Sequence, residues 1–285
     1  MRNIRTPFLL VAPSFALLGF VLLSPVAYAF WFSLFRIEYG APVSFWGLRN
    51  FERLLDDHTL VATFGRTALH TGAAVVLTII VALALASWID RLRGVLAFVV
   101  QTIVILPWII STVVATLLFR WVFVNDIGIA AYLMGRFVGG VGQLLTTPTG
   151  AMSLLILVSV WKRIGYAVIV LLAGLKSIPG ELHEAARIDG ASAWQIFRLI
   201  TLPLLKTPLL LTAVVLTLSN INTVETPLVL TGGGPSDATR VLAIDVYERA
   251  FAIFDLGSAT ALALVMFAGN ILLVLAYVKL SRWRA

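Results

Sequence analysis

The sequence predicts an all-α membrane protein, with six transmembrane helices and one helical loop on the cytoplasmic side. Two observations carry this. Of 285 residues, 60% are hydrophobic and only 12% charged, against roughly a quarter charged in a soluble domain. A chain so poor in polar surface cannot cover a globule in water, so its solvent is largely lipid. Six apolar stretches, at residues 8–35, 67–89, 95–119, 151–175, 208–230 and 257–280, each reach the about 20 residues that cross a hydrocarbon core. They read as helices, because lipid offers no partner to unpaired backbone groups.

The first stretch follows Arg2 and Arg5, and Ala27-Tyr28-Ala29 imitates a signal cleavage site. Its apolar run exceeds the about 7–15 residues of a signal core, so it reads as an uncleaved first span. Basic residues set the orientation. With both termini cytoplasmic, Arg2, Arg5, Arg91, Arg93, Lys176, Arg187, Arg198, Lys206 and the C-terminal bases fall inside, mostly in short loops. The half-apolar, glycine-rich stretch from Ile127 to Thr147 reads as an external loop with one surface helix. The chain is thus expected to cross a membrane several times, with both termini on its inner side.

The spans are not uniform. Pro107 interrupts the third, where a kink is expected because its ring removes one backbone bond. The fourth carries Lys162-Arg163 near its middle, and the fifth carries Ser219, Asn220, Asn222, Thr223, Glu225 and Thr226. Polar groups at that depth are costly and mark either a pathway or a helix contact. If the fifth stretch is one helix, Leu216, Asn220 and Thr223 share a face. Amide and hydroxyl groups there, with Trp161 and Tyr166 on the fourth span, suit a sugar. The other reading keeps these polar groups as bonds between helices. Lys162 and Arg163 could likewise snorkel or pair with Glu225.

The longest internal loop, residues 176–206, is the least lipid-like part of the chain. Pro179-Gly180 starts a short helix that Gly190 ends, and Ser192 N-caps a second one to about Ile200. Ala185, Ala186 and Ala191 give it a small-residue surface that lets another protein approach closely. On physical grounds alone it could also be a plain connector.

Here the residues reach a family. Glu184-Ala185-Ala186, Asp189-Gly190-Ala191, Phe197, Ile200 and Leu202-Pro203 resemble the EAA loop of binding-protein-dependent ABC import permeases. In that family the loop docks into the cytoplasmic ATPase. FWGLRNF at Phe45–Phe51, Leu106-Pro107-Trp108, Arg120-Trp121, Val160-Trp161-Lys162 and the TGGGP block at Thr231–Pro235 are similar to its carbohydrate permeases of the maltose and glycerol-phosphate type, first of the two paired subunits. The resemblance implies a second homologous permease, two ABC ATPase subunits, an extracytoplasmic solute-binding protein and a carbohydrate substrate. It assigns ATPase coupling to Glu184, Ala185, Ala186, Asp189, Gly190 and Ala191. It places Lys162, Arg163, Tyr166, Leu216, Asn220 and Thr223 on the solute cavity, and we add Glu225 as the carboxylate beside them. The maltose-type cavity has an asparagine at the Thr223 position and lacks the paired bases, so its sugar does not transfer. Asp237 to Phe254, after TGGGP, offers a stretch for docking the binding protein, or an ordinary re-entry loop.

Other chemistry is excluded. There is no cysteine, and His58, His70 and His183 form no metal-ligand spacing. No Gly-x-x-x-x-Gly-Lys-Ser/Thr loop occurs, so ATP and Mg belong to the partner ATPase and this chain is expected to bind no cofactor of its own. No paired acids or Ser/His/Asp set suggest catalysis. The net charge of +7 fits the flanks of membrane helices rather than nucleic acid. The rival reading is a stand-alone ion-coupled transporter, which predicts inverted repeats and broken helices.

Overall fold

Apolar runs with few internal breakers become long helices, and the chain is helical through most of its length. The computed structural model describes residues 5–38, 40–124, 128–130, 132 and 144–282. Four helices are long and apolar enough to cross a membrane, or up to six if two sharply bent pairs each make one span. The Ile127–Thr147 stretch falls largely outside the described residues.

Two compact units are distinguished. The first holds residues up to Val61 together with Asp245–Ile271. It contains α1 (Arg5–Ser33), a hairpin of β1 (Phe35–Glu38) and β2 (Ala41–Phe45), and the short α2 (Arg49–Asp56). The hairpin is a departure from an all-helical expectation. Its strands pair antiparallel with Phe35 opposite Phe45 and a bulge between Arg36 and Ile37. The FWGLRNF stretch then locks it to the end of α1. Gly47 turns the chain at φ +59°, a conformation that suits glycine. The Asn50 amide donates to the carbonyls of Ser33 (2.8 Å) and Phe35 (2.9 Å). Gly257 abuts the same joint: a β-carbon there would lie 2.7 Å from the Phe35 carbonyl.

The same unit carries an ion cluster. Arg249 donates to Asp57 at 2.6 Å, to Asp245 at 3.1 Å and to the Ser258 hydroxyl at 2.7 Å. Asp57 also accepts from the Thr59 amide and hydroxyl, which makes it the cap of α3 (His58–Ile89). The second span therefore starts nine residues before Thr67, because Asp57-His58-Thr59 is a helix start.

The second unit holds Ala62–Ile244 and the chain from Leu272. After α3 come α4 (Gly94–Ile109), α5 (Thr112–Phe123), α6 (Pro148–Lys176), α7 (Gly180–Ile188), α8 (Ala193–Ile196), α9 (Lys206–Ile221) and α10 (Glu225–Leu230), while α11 (Leu242–Tyr247) and α12 (Leu256–Arg282) have residues in both units. Thr147 caps α6, its hydroxyl accepting from the Gly150 amide. The core lies between α3, α6 and α9, where Val75, Ala82, Val168, Leu171 and Leu216 pack together. A second cluster joins Leu155 and Val158 of α6 to Leu230.

Both interrupted spans lie in this unit. α4 and α5 meet at 95°, and the break falls at Ile110 and Ser111, whose backbones are extended (ψ 143° and 133°). Pro107 stays inside α4, so the interruption lies beyond the proline where the sequence placed a kink. The fifth span leaves helical geometry after Ile221 and resumes at Glu225. Its start is also bent, by 66° at Leu205.

Candidate translocation site and coupling loop

Lys162 is buried on α6, 7% exposed, and its ammonium donates to three backbone carbonyls. These belong to Pro107 at 2.9 Å, Trp108 at 3.1 Å, and Ile110. The break between α4 and α5 strips those oxygens of helical partners, and a lysine with three donors supplies them. Irregular backbone at membrane depth persists only where protein groups satisfy it in this way. Arg163 does the same for α9: its Nη2 donates to the Ser219 carbonyl at 3.1 Å, in the last turn of that helix. Cations at helix C-termini also oppose the dipole. Glu225, at the first turn of α10, sits where that dipole favours an acid, and lies within electrostatic reach of Arg163. The Thr223 hydroxyl donates to Glu225 at 3.2 Å.

The sequence-predicted residues are thus sorted. Lys162, Arg163, Thr223 and Glu225 gather at the two helix breaks. Tyr166 packs beside Trp108, ring centres 5.8 Å apart and planes tilted by 46°. Leu216 and Asn220 do not reach an open face: each is 1% exposed, and Leu216 belongs to the core. The Asn220 amide turns back to the Leu216 carbonyl at 2.8 Å. Thr223 lies past the end of α9, so the single helical face through Leu216, Asn220 and Thr223 does not form. The open face of this region carries Val215, Ser219, Asn222 and Glu225 instead. Ser219 and Asn222 were visible in the sequence as part of the polar band; only the break revealed which side they occupy.

The loop of residues 176–206 folds much as its residues predict. α7 closes in a Schellman motif, the Gly190 amide donating to Arg187 and the Ala191 amide to Ala186. Gly190 takes φ +78° to do so. Ser192 and Gln195 form a capping box at the start of α8. Helix continues through a π-type turn at Phe197–Thr201, and His183 bonds the Thr201 hydroxyl at 3.1 Å, bracing the two halves. Glu184, Ala185, Asp189 and Gly190 are exposed, while Ala186 and Ala191 are half-buried. Large apolar side chains face outward here: Ile188 is 86% exposed, Leu199 70% and Trp194 65%.

The TGGGP segment is a tight turn rather than a helix. The Thr231 and Thr239 hydroxyls meet at 2.6 Å, and Thr239 also donates to the Gly234 carbonyl at 2.8 Å. Gly233, at φ +90°, lies against Arg240.

Residues 74–285 match the family described as "Binding-protein-dependent transport system inner membrane component". The chain belongs to this family. It is an inner-membrane permease component, consistent with its apolar helices. Among curated relatives, it is 31% identical to the sulfoquinovosyl glycerol transport permease SmoG of Agrobacterium fabrum, over 96% of this chain and 89% of that one. It is 29% identical to the trehalose/maltose permease MalF of Thermococcus litoralis, over 99% and 96%. It is 35% identical to the sn-glycerol-3-phosphate permease UgpA of Yersinia enterocolitica, over 91% and 88%. In fold, it matches a chain of a bacterial ABC transporter that imports the acidic polysaccharide alginate, at TM-score 0.82 and 23% identity, covering 100% of this chain and 98% of that one. A structure of the bacterial alginate transporter in complex with a periplasmic protein bound to an alginate pentasaccharide gives 0.80.

Broken helices, which a stand-alone ion-coupled transporter also predicts, are present here as two bent pairs. The case for an ABC permease rests on the family, not on helix continuity.

Proposed function

We propose that this chain is the permease subunit through which an ATP-binding-cassette importer moves a carbohydrate or carbohydrate-like solute across the inner membrane. A second homologous permease completes the pathway, two cytoplasmic ATPases hold ATP and Mg, and an extracytoplasmic binding protein delivers the solute. The single observation that carries this reading is the exposed two-helix loop of residues 180–205, with its outward Ile188, Trp194 and Leu199, on a chain of this family. Such an apolar patch in water marks a protein interface, and the ATPase is its natural occupant. The carbohydrate is supported by the three curated relatives, whose names include a sugar glycerol, a disaccharide and a glycerol phosphate.

Within the pathway, the solute-facing groups are Arg163, Tyr166 and Glu225, extended along the open side of α9 by Ser219 and Asn222, with the buried Thr223 hydroxyl holding the Glu225 carboxylate. Leu216 and Asn220 support that surface from inside. ATP binding would close the ATPases and open the cavity outward, and hydrolysis would open it inward.

The test is Gly190→Leu. No atom lies within 4 Å of the added β-carbon, but the backbone conformation is one that leucine rarely adopts. The corner between α7 and α8 should therefore distort while the spans insert normally. Co-purification of ATPase with the variant and solute uptake in vesicles should both fall sharply. Undiminished co-purification would make the loop a connector, and uptake by the chain alone under an ion gradient would overturn the importer reading.

A further inference from the structure

Lys162 and Arg163 are consecutive on α6, and each ends on backbone carbonyls of a different interrupted span. All three donors of the ammonium serve the end of α4. In an unbroken helix the Thr223 amide would serve the Ser219 oxygen; Thr223 lies beyond the end of α9, and Arg163 takes its place. Two half-helices thus present their negative ends to one pair of cations.

α6 also holds both spans by close backbone packing. A β-carbon at Gly165 would lie 2.7 Å from the Val104 carbonyl of α4. One at Gly174 would lie 2.7 Å from Pro208 and 2.9 Å from Leu205, at the bend that opens α9. The C-terminus of α6 is joined to α7 by a three-residue turn, Ser177 to Pro179. One helix therefore connects the exposed loop to both breaks.

We propose that α6 is the transmission rod of this permease. Lys162 and Arg163 are positioning residues that grip the broken third and fifth spans, so that displacement of the loop moves both breaks together. This rests on reading the loop as the ATPase-docking element. It gives Lys162 a role distinct from solute recognition, since all three of its donors are already engaged.

The chain contains no cysteine, so introduced thiols label without background. Ile103 on α4 and Leu118 on α5 are 59% and 55% exposed and flank the first break. Spin labels at I103C and L118C, in the chain embedded in nanodiscs, should give one narrow distance. Lys162→Met should broaden it, and Lys162→Arg should restore most of the sharpness. In the complete transporter, solute moved per ATP should fall about tenfold or more in Lys162→Met, as misplacement of a working group does. Solute selectivity and the half-saturating concentration of loaded binding protein should hold. A distribution that stays narrow in Lys162→Met overturns the grip, and altered selectivity with an unchanged distance makes Lys162 a solute ligand. If the variant fails to assemble, the nanodisc distance on the chain alone still decides. Failure of the loop to bind ATPase in the unmodified chain would sink the docking reading instead, and is seen separately.

Discussion

Lys162 is a buried cation and Arg249 a partly buried one, and they are answered by different chemistry. The Arg249 side chain is 15% exposed and is met by two carboxylates, Asp57 and Asp245. Lys162 is met by carbonyl oxygens released at a helix break. An anion buried beside a cation costs a second desolvation, which good geometry only partly offsets. A broken helix supplies acceptors without adding a charge, and its dipole contributes further. Just outside a span, where water still reaches Asp57, a full countercharge is tolerable. Within the span, dipoles serve in its place.

Removing Arg249 should give the largest effect. Arg249→Leu leaves Asp57 and Asp245 without their cation, a loss of about 1.5–3 kcal/mol, the range for hydrogen bonds to charged groups, because water still reaches Asp57. Thermal unfolding in detergent measures it; a loss under about 1 kcal/mol would show that water replaces the arginine. Gly165→Val comes next. Its β-carbon meets backbone rather than a flexible side chain, so α4 must move, at about 1–3 kcal/mol. Partial rescue by a smaller residue at Ile105 would leave this account wrong, because the clash is with main chain.

Acidification separates the two regions most finely. Burial raises the Asp57 carboxyl, but hydrogen bonds from Thr59 and Arg249, with the Arg249 charge, outweigh it and hold it below the ordinary aspartate value. A depressed carboxylate stabilises fully above its unfolded value, about pH 4, and loses that contribution as pH falls through the folded one. The Arg249 cluster should therefore loosen below about pH 4. The distance between labels at Ile103 and Leu118 should stay unchanged over the same range, because no carboxylate contributes to the Lys162 grip.

The long apolar runs were legible because lipid demands them, and the corner between α7 and α8 because Gly190 and Ser192 each have a local job. The breaks were not. Ile110 and Ser111 carry no breaker signal, and the extended backbone there is maintained by a lysine some fifty positions away. Pro107 drew attention to the right region but is not the point of rupture. The Lys162-Arg163 pair was visible as an anomaly, yet its partners are carbonyls, which every residue possesses and no sequence pattern marks. Asn220 was ambiguous for a related reason: an amide in an apolar run suits a solute contact or a bond within the bundle, and here its Nδ2 bonds its own helix. The hairpin at Phe35–Phe45 did leave a signal, alternating apolar residues around Gly40, too short to stand out beside a membrane span.

The bond between Lys162 and the α4 end constrains how such a chain can change over generations. A variant that straightens the span while keeping the lysine strands a charge among apolar neighbours. A variant that loses the lysine while keeping the break strands three oxygens. Each single step leaves buried polar groups unpaired, so the interruption and its base are coupled in any one-step change. A descendant that dispenses with one must dispense with both.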